Sequence, residues 1–332
     1  MRIATIIAVL LLVSVISSGG CKKKKLVESD PPVVQTNFAK GADIGWITEM
    51  EAAGKKFYNA AGVETEGIAL MKSLGMNTIR LRVWVNPTPS WNNAADVVAK
   101  AVRAKNLGMR VMIDFHYSDY WADPGKQYKP AAWKDLSFEE LKKALYDYTK
   151  MVMEELKAQG TTPDMVQVGN EINHGIVWPD GNVANIDQTA QLINAGTAAV
   201  KAVDPTVQMM LHVALGGQNN ESVFFIDNML ARGVHFDVIG QSYYPKWHGT
   251  LADLENNLND LVRRYNKDVI VVEYSALKEE VNKIAFGLPN GRGKGTCIWE
   301  PLSTWEKFFD NDGKSNKYLL VYDELSRQFL KK

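Results

Sequence analysis

The chain of 332 residues is 46% hydrophobic and 23% charged, enough apolar sequence for a sizeable core and too much for a disordered protein. Its 38 Lys and Arg balance 38 Asp and Glu, so it lacks the basic excess of a general nucleic-acid binder, and no nucleic-acid partner is expected. Two cysteines, Cys21 and Cys297, exclude a disulfide framework and a paired-cysteine zinc site.

The N-terminus has the pattern of an export signal. Arg2 supplies a positive start, and the largely apolar Ile3–Ile16 is short for a membrane-spanning helix. Ser17-Ser18-Gly19-Gly20-Cys21 follows, small residues directly before a lone Cys. This resembles a lipobox and makes Cys21 the expected lipidated first residue, although Ser18 stands where Leu is usual. The expected division is a signal at 1–20, a tether at 21–40 and one catalytic domain at 41–332. The expected location is the bacterial outer membrane, with a lipid anchor at Cys21; the basic Lys22–Lys25 leaves the membrane face open. Cys297 reads as a buried small hydrophobe.

Beyond residue 40, short apolar runs alternate with helical patterns. The strand candidates are Gly41–Trp46, Thr78–Val85, Arg110–Tyr117, Met165–Ile172, Val207–Val213, Asp237–Tyr244, Asp268–Tyr274 and Thr296–Trp299. Most are near-continuous apolar runs, as a parallel sheet covered on both faces requires. Helical periodicity falls at Thr65–Leu74, Ala94–Leu107, Ser137–Gln159, Ile186–Val203, Glu221–Ala231, Leu251–Tyr265 and Lys317–Leu330, with a short helix at Leu277–Ile284. The third begins with the capping box Ser137-Phe138-Glu139-Glu140. Eight β runs interleaved with helices predict an α/β fold of the (β/α)₈ TIM-barrel type. A doubly wound sheet is the alternative, but no phosphate-binding glycine loop follows the first run. Gly291-Arg292-Gly293-Lys294-Gly295 lacks the spacing of a phosphate loop and reads as a turn.

In such a barrel, chemistry collects at the C-terminal ends of the strands. Polar residues end nearly every run: Asp43, Arg80, Arg82, Asp114, His116, Asp119, Asn170, Glu171, His212, Ser242, Tyr244, Glu273 and Glu300. Glu171 and Glu273 close β-branched runs four and seven, where a carboxylate is out of place for packing. Two carboxylates roughly 5–5.5 Å apart give glycoside hydrolysis with retention. The histidines His116, His174, His212, His235 and His248 show no metal-ligand spacing, so no metal is expected. Gly240-Gln241-Ser242-Tyr243-Tyr244 is not a nucleophile elbow, which disfavours an esterase.

Three strings carry a resemblance: Ile79-Arg80-Leu81-Arg82-Val83-Trp84-Val85-Asn86-Pro87; Ile113-Asp114-Phe115-His116-Tyr117-Ser118-Asp119 with Trp121-Ala122-Asp123-Pro124; and Val168-Gly169-Asn170-Glu171-Ile172 with Val177-Trp178-Pro179-Asp180-Gly181. From about residue 41 to 330 the chain resembles family 53 endo-β-1,4-galactanases, within the clan of retaining glycosidases on (β/α)₈ barrels. The resemblance implies Glu171 as general acid/base and Glu273 as nucleophile. It also implies Arg80, His116, Asn170, His212 and Tyr244 as residues that orient the nucleophile or sugar hydroxyls. Trp121, Trp178 and Trp299 become sugar platforms, Asp123 a hydroxyl partner, and Asp119 a further substrate contact. The implied substrate is β-1,4-galactan, the side chains of pectin, or its galactooligosaccharides. No cofactor is implied. Two departures stand out. His212-Val213-Ala214 replaces the family's His-Leu-Asp, and the segment 274–298 is short, with no Asp-rich loop where some relatives bind calcium. The alternatives are another β-1,4-glycanase of the clan, on mannan or glucan, and a non-catalytic glycan-binding lipoprotein.

Overall fold

The computed structural model describes residues 38–303 except 60, together with 307 and 314. The expected signal, the tether up to residue 37, Cys21 and the expected helix Lys317–Leu330 lie outside the described residues. Eight parallel strands close a barrel: β1 Ala39–Asp43, β2 Thr78–Val83, β3 Arg110–Phe115, β4 Met165–Val168, β5 Gln208–Val213, β6 Val238–Tyr243, β7 Asp268–Tyr274 and β8 Gly293–Ile298. Each pairs with its neighbour in sequence, and β8 returns to β1 through Ala39↔Gly295 and Gly41↔Cys297. The expected (β/α)₈ barrel is therefore the fold.

Every expected strand is present, and the ends shift for local reasons. β1 starts inside the segment assigned to the tether and stops at Asp43, because the chain turns there into a helix at Ile47–Ala52 that the sequence reading did not anticipate. β4 stops at Val168, where Gly169 takes φ +95, a conformation that favours glycine. The glycine-rich segment expected as a turn instead opens β8 at Gly293. A Cβ at Gly293 would sit 1.6 Å from the Ala285 carbonyl oxygen, so only glycine lets β8 pass that helix.

Helices at Gly67–Ser73, Ala94–Asn106, Phe138–Ala158, Ile186–Val203, Asn219–Ala231, Leu251–Tyr265 and Lys278–Phe286 occupy the expected segments. Ser137/Glu140 and Thr250/Asp253 form complete capping boxes, which satisfy orphan amides at the two helix starts. The main apolar cluster joins the outward face of the strands to the helices. A second, smaller cluster includes Met112, Met165, Met210, Val238, Ile270, Val272 and Cys297. It plugs the barrel interior and leaves the mouth above it polar. Cys297 is a free, buried thiol, as expected. A cavity of about 650 Å³ opens at the opposite end, lined by Ala39, Thr78, Arg110 and Met165 among others, away from the mouth. Among the described residues, no helix is long and apolar enough to cross a membrane.

Candidate active site

Arg80 of β2 is the hub of the mouth. Its guanidinium is fully buried and donates to Asp43 of β1 (2.8 Å), Asp114 of β3 (2.8 Å), Asn170 (2.8 Å), Gln167 of β4 (2.7 Å) and Glu273 of β7 (3.2 Å). All five donor hydrogens of an arginine find acceptors here, which is what burial of that charge demands. Burial works against the Asp114 carboxylate, but Arg80 and then His116 hold its pKa down to about 2.

Glu273 faces the mouth because β7 carries a bulge. The β6–β7 register runs Gln241↔Val271 and then Ser242↔Glu273, which skips Val272. Strict alternation after the inward Ile270 and Val272 would turn Glu273 toward the helices. The extra residue shifts the phase by one, so Glu273 points inward and Tyr274 joins the outer core. Tyr244, just past β6, donates its hydroxyl to Glu273 Oε1 at 2.8 Å.

Glu171 follows the turn at Gly169 and takes φ 50, ψ 53, a left-handed conformation unusual for a residue with a Cβ. Its amide donates to His212 Nδ1 at 3.2 Å. Gln167 Nε2 reaches the same nitrogen at 2.8 Å, so Nδ1 is an acceptor and the ring proton sits on Nε2. Nε2 in turn lies 2.9 Å from the Ser242 hydroxyl, which hydrogen-bonds the Glu171 carboxyl. Burial, and then Arg80, push the His212 pKa well below its ordinary value, consistent with the neutral tautomer.

A carboxyl oxygen of Glu171 and one of Glu273 lie within 4.8 Å of each other and of a His212 nitrogen. Glu, His and Glu are metal-ligand types, but both ring nitrogens of His212 are engaged, so the trio does not present a free imidazole lone pair. The two carboxyls have unequal surroundings. Burial raises Glu171, and the neighbouring Glu273 raises it further, to about 8; only Ser242 and the more distant Arg80 oppose this. Burial raises Glu273 as well, but direct bonds from Arg80 and Tyr244 counter it and leave it lower, at about 7. Glu171 is the group that keeps a proton longer, and Glu273 the one that ionises first.

The remaining expected residues separate into two sets. His116 accepts from Trp84 Nε1 (3.2 Å) and the Ala122 amide (3.1 Å) and faces Asp114 at 3.1 Å, so it braces the hub. Asn170 donates to the Ala122 carbonyl at 2.8 Å, and its own carbonyl accepts from Gln127 at 2.8 Å. Asp119, expected as a substrate contact, has a structural role. Its two oxygens accept from the Asn86 and Ala131 amides, both at 2.8 Å, so it staples two loops together. Asp123 caps a turn through the Gly125 amide (2.9 Å) and pairs with Lys126 at 3.2 Å, while staying partly open. Trp178 anchors its indole nitrogen on the His174 carbonyl at 2.9 Å, which leaves a half-buried ring at the rim. Trp121 and Trp299 are also half-buried and meet edge to face, with ring centres 5.6 Å apart. Gln167 and Ser242 complete the chain from the hub to Glu171; the sequence marked Ser242 only as a polar strand end and did not mark Gln167. Inward alternation from Met165 identifies Gln167, and Gly240 identifies Ser242.

Residues 39–284 match the model of glycosyl hydrolase family 53. The chain belongs to that family. It is 44% identical over 244 residues to an uncharacterized protein from Niallia circulans, covering 71% of this chain and 67% of that one. It is 37% identical over 247 residues to an endo-β-1,4-galactanase from Bacillus subtilis (strain 168), covering 72% of this chain and 57% of the relative. The chain thus spans a little over half the length of that galactanase. The family 53 catalytic domain from Ignisphaera aggregans superposes with a TM-score of 0.83 at 32% identity, covering 91% of this chain and 98% of that domain.

Proposed function

We propose that this protein is an endo-acting, retaining β-1,4-galactanase that cleaves the galactan side chains of pectin to galactooligosaccharides. The observation that carries the reading is the pair of carboxyls within 4.8 Å whose surroundings differ. That spacing fits a double displacement and leaves too little room for the interposed water of an inverting enzyme. Glu171, raised by burial beside Glu273, protonates the leaving glycosidic oxygen. Glu273, ionised by the bonds from Arg80 and Tyr244, attacks C1. Glu171 then takes a proton from the water that frees the sugar. Asn170 stands beside Glu171 as a partner for the sugar 2-hydroxyl, with Trp121, Trp178 and Trp299 as stacking surfaces and Asp123 as a hydroxyl contact.

The galactan assignment draws on family membership and on the endo-β-1,4-galactanase activity by which the Bacillus subtilis relative is named. Incubation with pectic galactan, mannan and cellulose tests it. Release of galactooligosaccharides from galactan alone, with the β-anomer appearing first by proton NMR, is the expected result. Release from mannan or cellulose instead moves the protein to another β-glycanase, and tight binding without release makes it a glycan-binding lipoprotein.

The second part of the proposal is a lipid anchor at Cys21 on an exported protein, supported by the Ile3–Ile16 run and the small residues before Cys21. Mass spectrometry of the mature N-terminus tests this: diacylglycerol on Cys21 is expected, and an unmodified residue overturns it.

A further inference from the structure

Arg82, two residues along β2 from the hub, has no place in the catalytic scheme above. It is fully buried, and its guanidinium carbon lies 4.3 Å from the ring centre of Trp121, 4.9 Å from Trp46, 5.5 Å from Trp84 and 5.6 Å from Trp299. The rings touch one another edge to face, Trp84 on Trp121 at 5.1 Å and Trp46 on Trp121 at 5.5 Å. One nitrogen, Nη1, serves both acidic partners: Asp43 Oδ1 at 3.1 Å and Glu300 Oε1. Nε and Nη2 are buried with no hydrogen-bond partner among the described residues. Two nitrogens, carrying three N–H bonds between them, left unsatisfied in a core are costly. Aromatic faces are the compensation available, because a ring quadrupole attracts a cation and its N–H groups.

The cage is also shaped around the guanidinium. A Cβ on Gly45 would fall 2.3 Å from Nη1 and 2.4 Å from Cζ, so the loop after β1 admits only glycine beside it. Glu300, just past β8, accepts from the Trp46 amide at 3.2 Å and from Arg82, which fixes Trp46 and the Trp299-Glu300 turn to one cation. The other end of the contact leads inward. Asp43 gives one oxygen to Arg82 and the other to Arg80, and Arg80 holds Glu273.

We propose that Arg82 is a positioning residue that ties the aromatic wall of the glycan cleft to the ion-pair network of the nucleophile. Its faces hold Trp46, Trp121 and Trp299 in fixed orientations for the sugar, and its edge fixes Asp43 and through it Arg80. The inference rests on the glycosidase reading for the sugar and the nucleophile, but the cage is a property of the fold alone.

The test is Arg82→Lys, which keeps the charge and loses the plane and fork, beside Gly45→Ala, which crowds the guanidinium without changing any charge. Near-ultraviolet circular dichroism reads the coupled tryptophans, and steady-state kinetics on galactan read the rest. Both variants are expected to lose tryptophan ellipticity. Both should raise KM about 5- to 30-fold, the equivalent of losing about 1–2 kcal/mol of cation–π contact, and lower kcat in addition. A merely structural arginine predicts wild-type KM and kcat per folded molecule. Should Arg82→Lys fail to fold, Gly45→Ala decides alone, and unchanged spectra and kinetics in it overturn the proposal. A wild-type protein inactive on every glycan defeats the functional reading, while the spectra still report on the cage.

Discussion

Tyr244→Phe isolates what keeps Glu273 able to attack. The phenol donates to Glu273 Oε1 at 2.8 Å, and phenylalanine removes that donor while keeping the ring. Glu273 must be ionised to act, and burial already pushes its pKa up, so each donor matters. A hydrogen bond to a charged group is worth about 1.5–3 kcal/mol, and 1.36 kcal/mol corresponds to one pH unit. Arg80 remains at 3.2 Å from the other oxygen and continues to oppose protonation. The sign follows: the hydroxyl favours the ionised form, so its loss raises the pKa, and the acid limb of kcat/KM moves to higher pH by about one to two units. The pair titrates together, so the limb belongs to the Glu171–Glu273 pair, with Glu273 the dominant contributor. The assay is kcat/KM on galactan from pH 4 to 9 for both proteins, with melting temperatures measured at each pH. An unmoved acid limb in a fully folded variant would refute the role given to Tyr244 and with it the argument that local donors offset part of the rise that burial imposes on the nucleophile.

Three further outcomes are expected. Glu171→Gln retains galactan binding and loses about 10²–10⁴-fold in kcat, the usual contribution of a positioned acid, while an aryl galactoside with a good leaving group still forms the covalent intermediate and azide restores its turnover. Ser242→Ala removes a bond that favours the ionised Glu171, so the pKa of Glu171 rises and the basic limb of the profile extends to higher pH; a limb that moves down contradicts the Gln167–His212–Ser242–Glu171 chain. Asp114→Asn leaves Arg80 short of an anion and destabilises by about 3–5 kcal/mol in urea unfolding, as breaking a buried pair does. Because the Asp114 pKa is depressed, its stabilisation in the wild type is complete above the ordinary carboxylate range and is lost as pH falls through about 2.

Much of this site is legible in the sequence. Charged residues that end β-branched runs are rare enough in packed strands to mark Glu171 and Glu273, and counting strands put them on β4 and β7. What alternation could not supply was the phase of β7, because the bulge at Val272 lies inside an unbroken apolar run, Val269–Val272, with no glycine to announce it. The loop contacts of Asp119 were hidden for a related reason. A carboxylate beyond a strand looks the same in sequence whether it faces a sugar or two backbone amides from distant loops, and the Asn86 and Ala131 amides lie 33 and 12 residues away from it. The tryptophans were legible as a group and not in orientation. The family resemblance marked Trp121 and Trp299 as sugar platforms, but only the geometry shows that they, with Trp46 and Trp84, also enclose Arg82.

The strand ends share a device that connects fold to chemistry. Tyr117 after β3, Glu171 after β4 and Glu300 after β8 all take positive φ, at 50, 50 and 37 degrees, without being glycine. Each costs on the order of 1–2 kcal/mol relative to an ordinary backbone. Each is also held by its own side chain or amide: Tyr117 by the Thr149 hydroxyl at 2.8 Å, Glu171 by His212 and Ser242, and Glu300 by Arg82 and the Trp46 amide. Glycine would relieve the strain at any of the three positions and would delete the group that the turn presents. The left-handed turn breaks the alternation of the strand, so a residue one step beyond the last inward position can still be buried at the mouth. The polar bonds that tolerate the strain are therefore the same bonds that orient the acid. Substitutions at His212 should loosen the backbone at Glu171 as well as its proton, and backbone amide exchange at Ile172 and Asn173 should rise in step with the fall in kcat.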